Sequence, residues 1–238
     1  MRDLWPRLPR RASCPRLTPG LGLQPSKGNN AMIHLLGRKT SSNVMKALWV
    51  LDELGLAYDR ADYGGAFGGT NTPEYRAKQP VGLVPVLEED GFSIFESNAI
   101  LRYLCNAHGG QHFYPAEPRA RGTIDAWLDF QQTVLSGPTS TYFIGLVRTP
   151  PEKRDMAAIT AAIAQAGDIW AIIDGRIARH GWVAADHFSI ADIACGVHVH
   201  RWFSLDMPGK RDLPKLRAWY DRLLARPPYA AHCAGPLA

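Results

Sequence analysis

Apolar positions change their spacing once along this chain. Between residues 33 and 107 short apolar runs alternate with helical stretches, and beyond residue 118 the spacing is helical throughout. Ile33-His-Leu-Leu36 reads as a short strand ended by Gly37. Ser41-Ser42-Asn43 offers a cap, and Val44, Leu48, Leu51 and Leu54 then fall at i, i+4, i+7 and i+10 on one helical face closed by Gly55. Tyr58 to Asp62 forms a second strand, a loop with Gly64, Gly65, Gly68 and Gly69 follows, and Thr72-Pro73 opens a short helix. Val84-Pro85-Val86-Leu87 and Phe92-Ser-Ile-Phe95 flank the turn signal Asp90-Gly91 and read as a β-hairpin. Glu96-Ser97-Asn98 can cap the helix carried by Ile100, Leu101, Tyr103 and Leu104. The order is βαβαββα over residues 32–108, and its first βαβ unit requires a parallel pair with a right-handed crossover.

Gly109-Gly110 and Tyr114-Pro115 make a linker over residues 109–117. Residues 118–238 read as an all-helical domain. Trp127, Leu128, Val134 and Leu135 belong to one long helix ended near Gly137-Pro138, and a second helix runs from Pro151-Glu152 to about His180. A third opens at Phe188-Ser189-Ile-Ala-Asp192, where Ser189 and Asp192 have capping-box spacing and Phe188 can staple onto Ile193. A further helix covers Leu213 to Leu224, stopped by Pro227-Pro228. The fold class is therefore α/β followed by all-α. No apolar run approaches the roughly 18 residues of a membrane span, so no membrane partner is expected.

Composition changes this picture in one place. The 238 residues are 46% hydrophobic and 21% charged, a globular balance, and carry a formal net charge of +5. That charge sits in residues 1–31, where Arg2, Arg7, Arg10, Arg11, Arg16 and Lys27 face Asp3 alone; the remainder holds 21 basic and 21 acidic residues. No basic face is left for nucleic acid. The Pro-, Arg- and Gly-rich stretch 1–31 lacks periodicity and reads as a disordered tail, an organellar transit peptide or, since Met32 directly precedes the first strand, residues upstream of the true start. Cys14, Cys105, Cys195 and Cys233 show no metal or redox spacing, which suits a reducing cytoplasm. His198 and His200 do not share a helical face, His108 and His112 flank glycines in a connection, and no metal site is expected.

Strand, hairpin and helix N-terminus in succession make an anion site. The stretch Gln79 to Ser97, with Val84-Pro85 opening a strand and Glu96-Ser97 opening a helix, resembles the glutathione-binding segment of the glutathione S-transferase superfamily, and Ser189-Ile-Ala-Asp192 resembles that family's buried folding motif. The resemblance covers residues 32–238 and implies a thioredoxin-like N-terminal domain, a helical C-terminal domain, a cytoplasmic homodimer, glutathione as co-substrate and a small apolar electrophile as partner. It implies a cis Pro85 that turns the Val84 backbone toward the cysteinyl unit, a γ-glutamyl carboxylate on Ser97, and Glu96 facing the α-amino group. It also implies that the loop Arg38 to Lys46 resembles the Ser- or Asn-bearing loop of theta-like and bacterial members. Ser41, Ser42 and Asn43 are then the candidates to hold the sulfur as thiolate, since a donor at a helix N-terminus lowers a thiol pKa. Leu83 stands where relatives carry a lysine, which leaves Gln79 or Lys46 for the glycyl carboxylate. Tyr142, Phe143 and Trp202 are the candidates for the acceptor pocket. Conjugation, glutathione-dependent disulfide or peroxide reduction (favoured by Asn43) and a non-catalytic interaction module remain as three readings.

Overall fold

Ile33–Leu36 (β1) pairs in parallel with Tyr58–Ala61 (β2) across the helix Ser42–Glu53 (α1), which is the expected crossover unit. Val86–Glu89 (β3) lies antiparallel on the other side of β1, with Leu35 opposite Leu87, and Phe92–Phe95 (β4) closes the sheet in the order β2-β1-β3-β4. The computed structural model describes residues 32–237, so the readings of residues 1–31 lie outside the described residues. Pro73–Lys78 (α2), capped by Thr72 through Tyr75 N–H at 3.2 Å, and Ser97–Ala107 (α3) complete the βαβαββα order. β3 begins two residues later than the apolar run suggests; Val84-Pro85, joined by a cis peptide bond, lies outside the ladder.

α1 is the central element. Val44, Lys46, Ala47, Leu48, Trp49, Val50 and Leu51 are all buried, since α1 packs against α3 and also against two helices of the second half. A helix apolar on nearly every side is one covered on every side. Its neighbours there are Ile190–Ser204 (α7) and Pro227–His232 (α9), and one continuous apolar core runs from Ile33 to Cys233. In packing, the described residues form one unit.

The helical half departs from expectation at three points. Pro118–Phe130 (α4), a π-helical turn Gln131–Leu135, Ser136–Phe143 (α5) and a second π turn Ile144–Arg148 continue past Gly137-Pro138 without a break. The ring of Pro138 would clash with the carbonyl of Val134, four residues back, and that carbonyl lies in the widened turn where Ser136 N–H bonds to Gln131 C=O. Second, Met156–His180 (α6) is by length and composition apolar enough to cross a membrane, contrary to the sequence reading. It is a core helix instead, packed on α5 and on Pro214–Leu224 (α8), with Trp170 and Ile173 fully buried and Asp174 accepting from Leu216 N–H at 2.7 Å. Third, Pro227-Pro228 follow the end of α8 at Leu224 as expected, but they also open a further helix, α9, as proline at a first helical turn can.

The α7 start matches its sequence signature. Asp192 accepts from Ser189 N–H at 2.9 Å and from the Ser189 hydroxyl at 3.1 Å, and its other oxygen takes Val183 N–H and Trp219 Nε1–H at 3.0 Å each. The buried Ser189→Ala variant should unfold about 1 kcal/mol more easily, a loss of roughly 2–4 °C in Tm. An unchanged Tm in calorimetry would mean that the box does not hold the helix start.

Candidate functional site

Among the described helices, α2, α4, α6 and α7 have side-chain caps at their starts, whereas α1, α3, α8 and α9 do not, and of these four the starts of α1 and α3 are brought together. Of the stretch Ser41-Ser42-Asn43, Ser41 occupies the N-cap position of α1 without a side-chain cap bond, and Ser42 is the first helical residue. Glu96 is the N-cap residue of α3, exposed, with φ 67, a backbone conformation that a residue with a Cβ rarely adopts. The two helix starts therefore present unsatisfied donors and two positive dipole ends. They are adjacent, because the Ser97 hydroxyl donates to Asn43 Oδ1 at 3.2 Å.

Val84 lies against the same place. A Cβ on Gly37 would come within 2.5 Å of Val44 Cγ2 and 3.2 Å of Val84 Cβ, so the glycine lets the loop after β1 close onto the Val84-Pro85 peptide. Neither backbone group of Val84 has a hydrogen-bond partner among the described residues, while Pro85 is buried behind it. A free N–H and C=O beside two uncapped helix starts form a surface that can add an extended peptide as a strand and receive its anionic groups at the helix ends.

Beneath this surface lies a chain of buried polar groups. Lys46 is fully buried, with its Nζ donating to Ser97 Oγ at 3.2 Å, Asn98 Oδ1 at 3.2 Å and Gln131 Oε1 at 2.7 Å. Asn98 Nδ2 donates to Leu128 C=O at 2.9 Å, and Gln131 Nε2 to Ser136 Oγ at 2.7 Å. Gln131 Nε2 also meets His198 Nε2 at 3.1 Å, and Thr139 Oγ1 meets His198 Nδ1 at 3.3 Å. Burial holds His198 well below its ordinary range, so it is neutral, with Nε2 accepting and Nδ1–H facing Thr139. Burial also pulls Lys46 down to about 7, against the opposing pull of Cys195 and Glu96. Three acceptors around one amine match the three N–H groups of an ammonium.

This network answers two sequence expectations and adds to them. Lys46 is enclosed and turned to Ser97, and Gln79 is 2% exposed with its Oε1 held by Val81 N–H at 2.7 Å, so both are occupied within the protein. Asn98, Gln131, Thr139 and His198 were not foreseen. The available signal was the run Val44-Met-Lys-Ala-Leu-Trp-Val-Leu51, where a single lysine interrupts an otherwise apolar stretch and must find partners inside.

A cavity of about 240 Å³ opens on the other side of α1, walled by Thr40, Met45, Leu48, Phe143, Val197 and Arg201. Met45 and Leu48 follow Ser41 at i+4 and i+7 and share its side, while Asn43 and Lys46 point to Ser97. Of the three aromatics expected in an acceptor pocket, Phe143 lines this cavity. Tyr142 and Trp202 have no exposed surface and belong to the core, as aromatics at helical spacing often do. Cys233 also reaches the cavity; burial pushes its thiol, like those of Cys105 and Cys195, above the usual range, so the three remain protonated. Among the described residues no group of three or more His, Cys, Asp or Glu converges.

The chain is similar to known proteins along most of its length. A family model described as the glutathione S-transferase N-terminal domain matches residues 35–112, and one described as the C-terminal domain matches residues 156–222. Glutathione S-transferase GstB of Escherichia coli K12 is 36% identical over 198 residues, spanning 82% of this chain and 95% of GstB. Glutathione S-transferase 4 of Zea mays is 27% identical over 198 residues, spanning 82% of this chain and 89% of its own. Among solved structures, a theta class glutathione S-transferase from Xanthomonas axonopodis pv. citri with glutathione bound superposes with a TM-score of 0.83 at 39% identity, covering 87% of this chain and all of its own.

Proposed function

The chain belongs to the glutathione S-transferase family, and we propose that it binds glutathione between Val84, Glu96, Ser97 and the start of α1 and transfers its thiolate to a small electrophile. The observation that carries the assignment of residues is the meeting of two uncapped helix starts beside the unpartnered Val84 backbone. The cysteinyl unit pairs with Val84 like an added strand. Its γ-glutamyl carboxylate sits on the Ser97 N–H and hydroxyl, the hydroxyl turning its one proton from Asn43 Oδ1 to the ligand while still accepting from Lys46 below, and the α-amino group faces Glu96. This leaves the sulfur at the Ser41 hydroxyl, where the α1 dipole and a donor favour thiolate over thiol. The sulfur lone pair then forms the new bond to carbon as the leaving group departs with its electron pair.

Asn43 was the residue that favoured disulfide reduction. Its Oδ1 accepts from Ser97, so its role in this reading lies at the γ-glutamyl end, and conjugation is the activity proposed. A reducing cytoplasm suits the free cysteines Cys105, Cys195 and Cys233, and a homodimer is the assembly proposed.

Retention on immobilised glutathione, followed by calorimetry, tests the site. Ser97→Ala removes a hydroxyl and a charge-assisted hydrogen bond, and the dissociation constant for glutathione should rise about tenfold or more. Binding equal to the parent would place glutathione elsewhere on the protein.

A further inference from the structure

Among the described residues, Arg201 is the buried cation that the network beneath Ser97 does not use. It is 6% exposed, lies on α7, and lines the cavity beside Ser41. Its guanidinium stacks 3.8 Å from the centroid of the Phe143 ring, and among the described residues no carboxylate or other acceptor bonds to it. The buried side-chain donors without a partner among the described residues are those of Tyr142, Trp170 and Trp202, so the unpartnered Arg201 N–H groups face the cavity, where an acceptor can reach them. Burial lowers the group to about 10, with Tyr142 and Cys233 opposing that shift and Arg148 adding to it.

Among the described residues no Asp or Glu lines the cavity, and Lys39 adds a second positive charge at the loop. His200 is engaged, with Nδ1 meeting Tyr220 Oη at 2.7 Å and Nε2 facing Gly235 C=O at 3.0 Å. His232 is paired with Asp52 at 2.6 Å. Met45, Leu48, Phe143 and Val197 give the remaining walls an apolar character suited to a ring or short alkyl body.

We propose that the acceptor substrate is a small electrophile carrying a carboxylate, which the Arg201 guanidinium holds against the Phe143 ring while the reactive carbon faces the Ser41 side of α1. The proposal rests on the transferase reading above and names the substrate class for it. A guanidinium takes a carboxylate through two parallel hydrogen bonds, which fixes the acceptor's direction as well as its affinity. With an aryl chloride as acceptor, the glutathione thiolate forms the carbon–sulfur bond, the carbon–chlorine bond breaks, and chloride leaves with the electron pair; no oxidant or reductant is involved. A carboxylate could also come from the glycyl end of glutathione. The apolar walls and the position on the Ser41 side, away from Ser97, assign the guanidinium to the acceptor.

The test compares 4-chloro-3-nitrobenzoate with its neutral isostere 4-chloro-3-nitrobenzamide, each kcat/KM divided by the uncatalysed rate with glutathione. The parent should favour the benzoate at least tenfold. Arg201→Gln should abolish that preference, chiefly through KM, and Arg201→Lys should restore part of it, while calorimetric glutathione affinity stays at the parent value in both. Parity between the two acceptors in the parent overturns the proposal. So does a loss of glutathione affinity in Arg201→Gln with the preference intact, which would give the guanidinium to the glycyl carboxylate. A readout free of turnover and of variant folding is the binding of 3-nitrobenzoate against 3-nitrobenzamide to the parent saturated with S-methylglutathione. Tenfold tighter benzoate binding supports the proposal and equal binding sinks it. Absence of glutathione binding, by contrast, would reject the transferase site itself.

Discussion

Lys46→Met should be among the most disruptive single changes to this protein, lowering stability by about 3 kcal/mol and, with it, the grip on glutathione. Methionine nearly conserves volume, so no large cavity opens. What is lost is the donor that Asn98 Oδ1, Gln131 Oε1 and Ser97 Oγ share. Ser97 keeps Asn43 as a partner and Gln131 Oε1 keeps a 3.2 Å contact from Asn98 Nδ2, but Asn98 Oδ1 is left buried without a donor. Each buried acceptor so deprived costs about 1–3 kcal/mol. The loss should appear as roughly 6–12 °C in Tm for a domain of this size. Removing a buried ammonium also relieves its desolvation, and a variant as stable as the parent would mean that this relief cancels the lost bonds.

The same residue sets a pH dependence. Its folded pKa of about 7 lies below the ordinary value of 10.5, with burial as the main cause. Below pH 7 both folded and unfolded chains carry the proton, and the native state bears the full cost of burying the charge. Between about 7 and 10.5 the unfolded chain binds a proton that the native chain has released, so this group makes unfolding harder as pH rises. The slope is at most about 1.4 kcal/mol per pH unit. Denaturant titrations of parent and Lys46→Met from pH 6.5 to 9 isolate it, since other groups cancel in the difference. A difference that stays flat over that range would show that the three acceptors keep the ammonium charged.

Local patterns carried the sheet half into view. The i, i+4, i+7 spacing of Val44, Leu48 and Leu51, the Asp90-Gly91 turn and the Ser189/Asp192 capping box each rest on neighbours within a few residues, so each is visible in a single sequence. Where the reading failed, a distant partner decided. Gly137-Pro138 stops a helix only if the preceding turn is regular, and the π-helical turn at Gln131 changes that condition. Phe143 faces a cavity while Tyr142 beside it is enclosed, a difference set by how α5 rests on α6 and α7. Lys46 bonds to residues 51, 52 and 85 positions away, which no spacing rule reaches. Arg201 reaches the cavity from α7, a helix buried along nearly its whole length, so periodicity gave it no polar face to stand on.

Ser41→Ala should raise the pKa of enzyme-bound glutathione while leaving its affinity nearly unchanged. Among the described residues Ser41 is the α1 N-cap whose side chain makes no cap bond, so its hydroxyl is available to a ligand, and it lies on the cavity side of the helix. The tripeptide is held mainly at Val84, Glu96 and Ser97, which the substitution does not touch. A preorganised donor to a developing oxyanion is worth about 3 kcal/mol at the transition state, and sulfur, a softer acceptor, should give about 2, or roughly 30-fold in conjugation rate. The thiolate absorbance titration should move toward the free-thiol value by a matching amount. Ser42→Ala, at the first helical position, should leave the titration in place. Asn43→Ala should likewise leave the titration in place, because its Oδ1 meets the Ser97 hydroxyl rather than facing the sulfur. A titration that shifts in Ser42→Ala and not in Ser41→Ala would move the sulfur donor one residue along. If the titration stays put in all three variants, this loop does not stabilise the thiolate, and the α1 dipole alone would have to account for any activity.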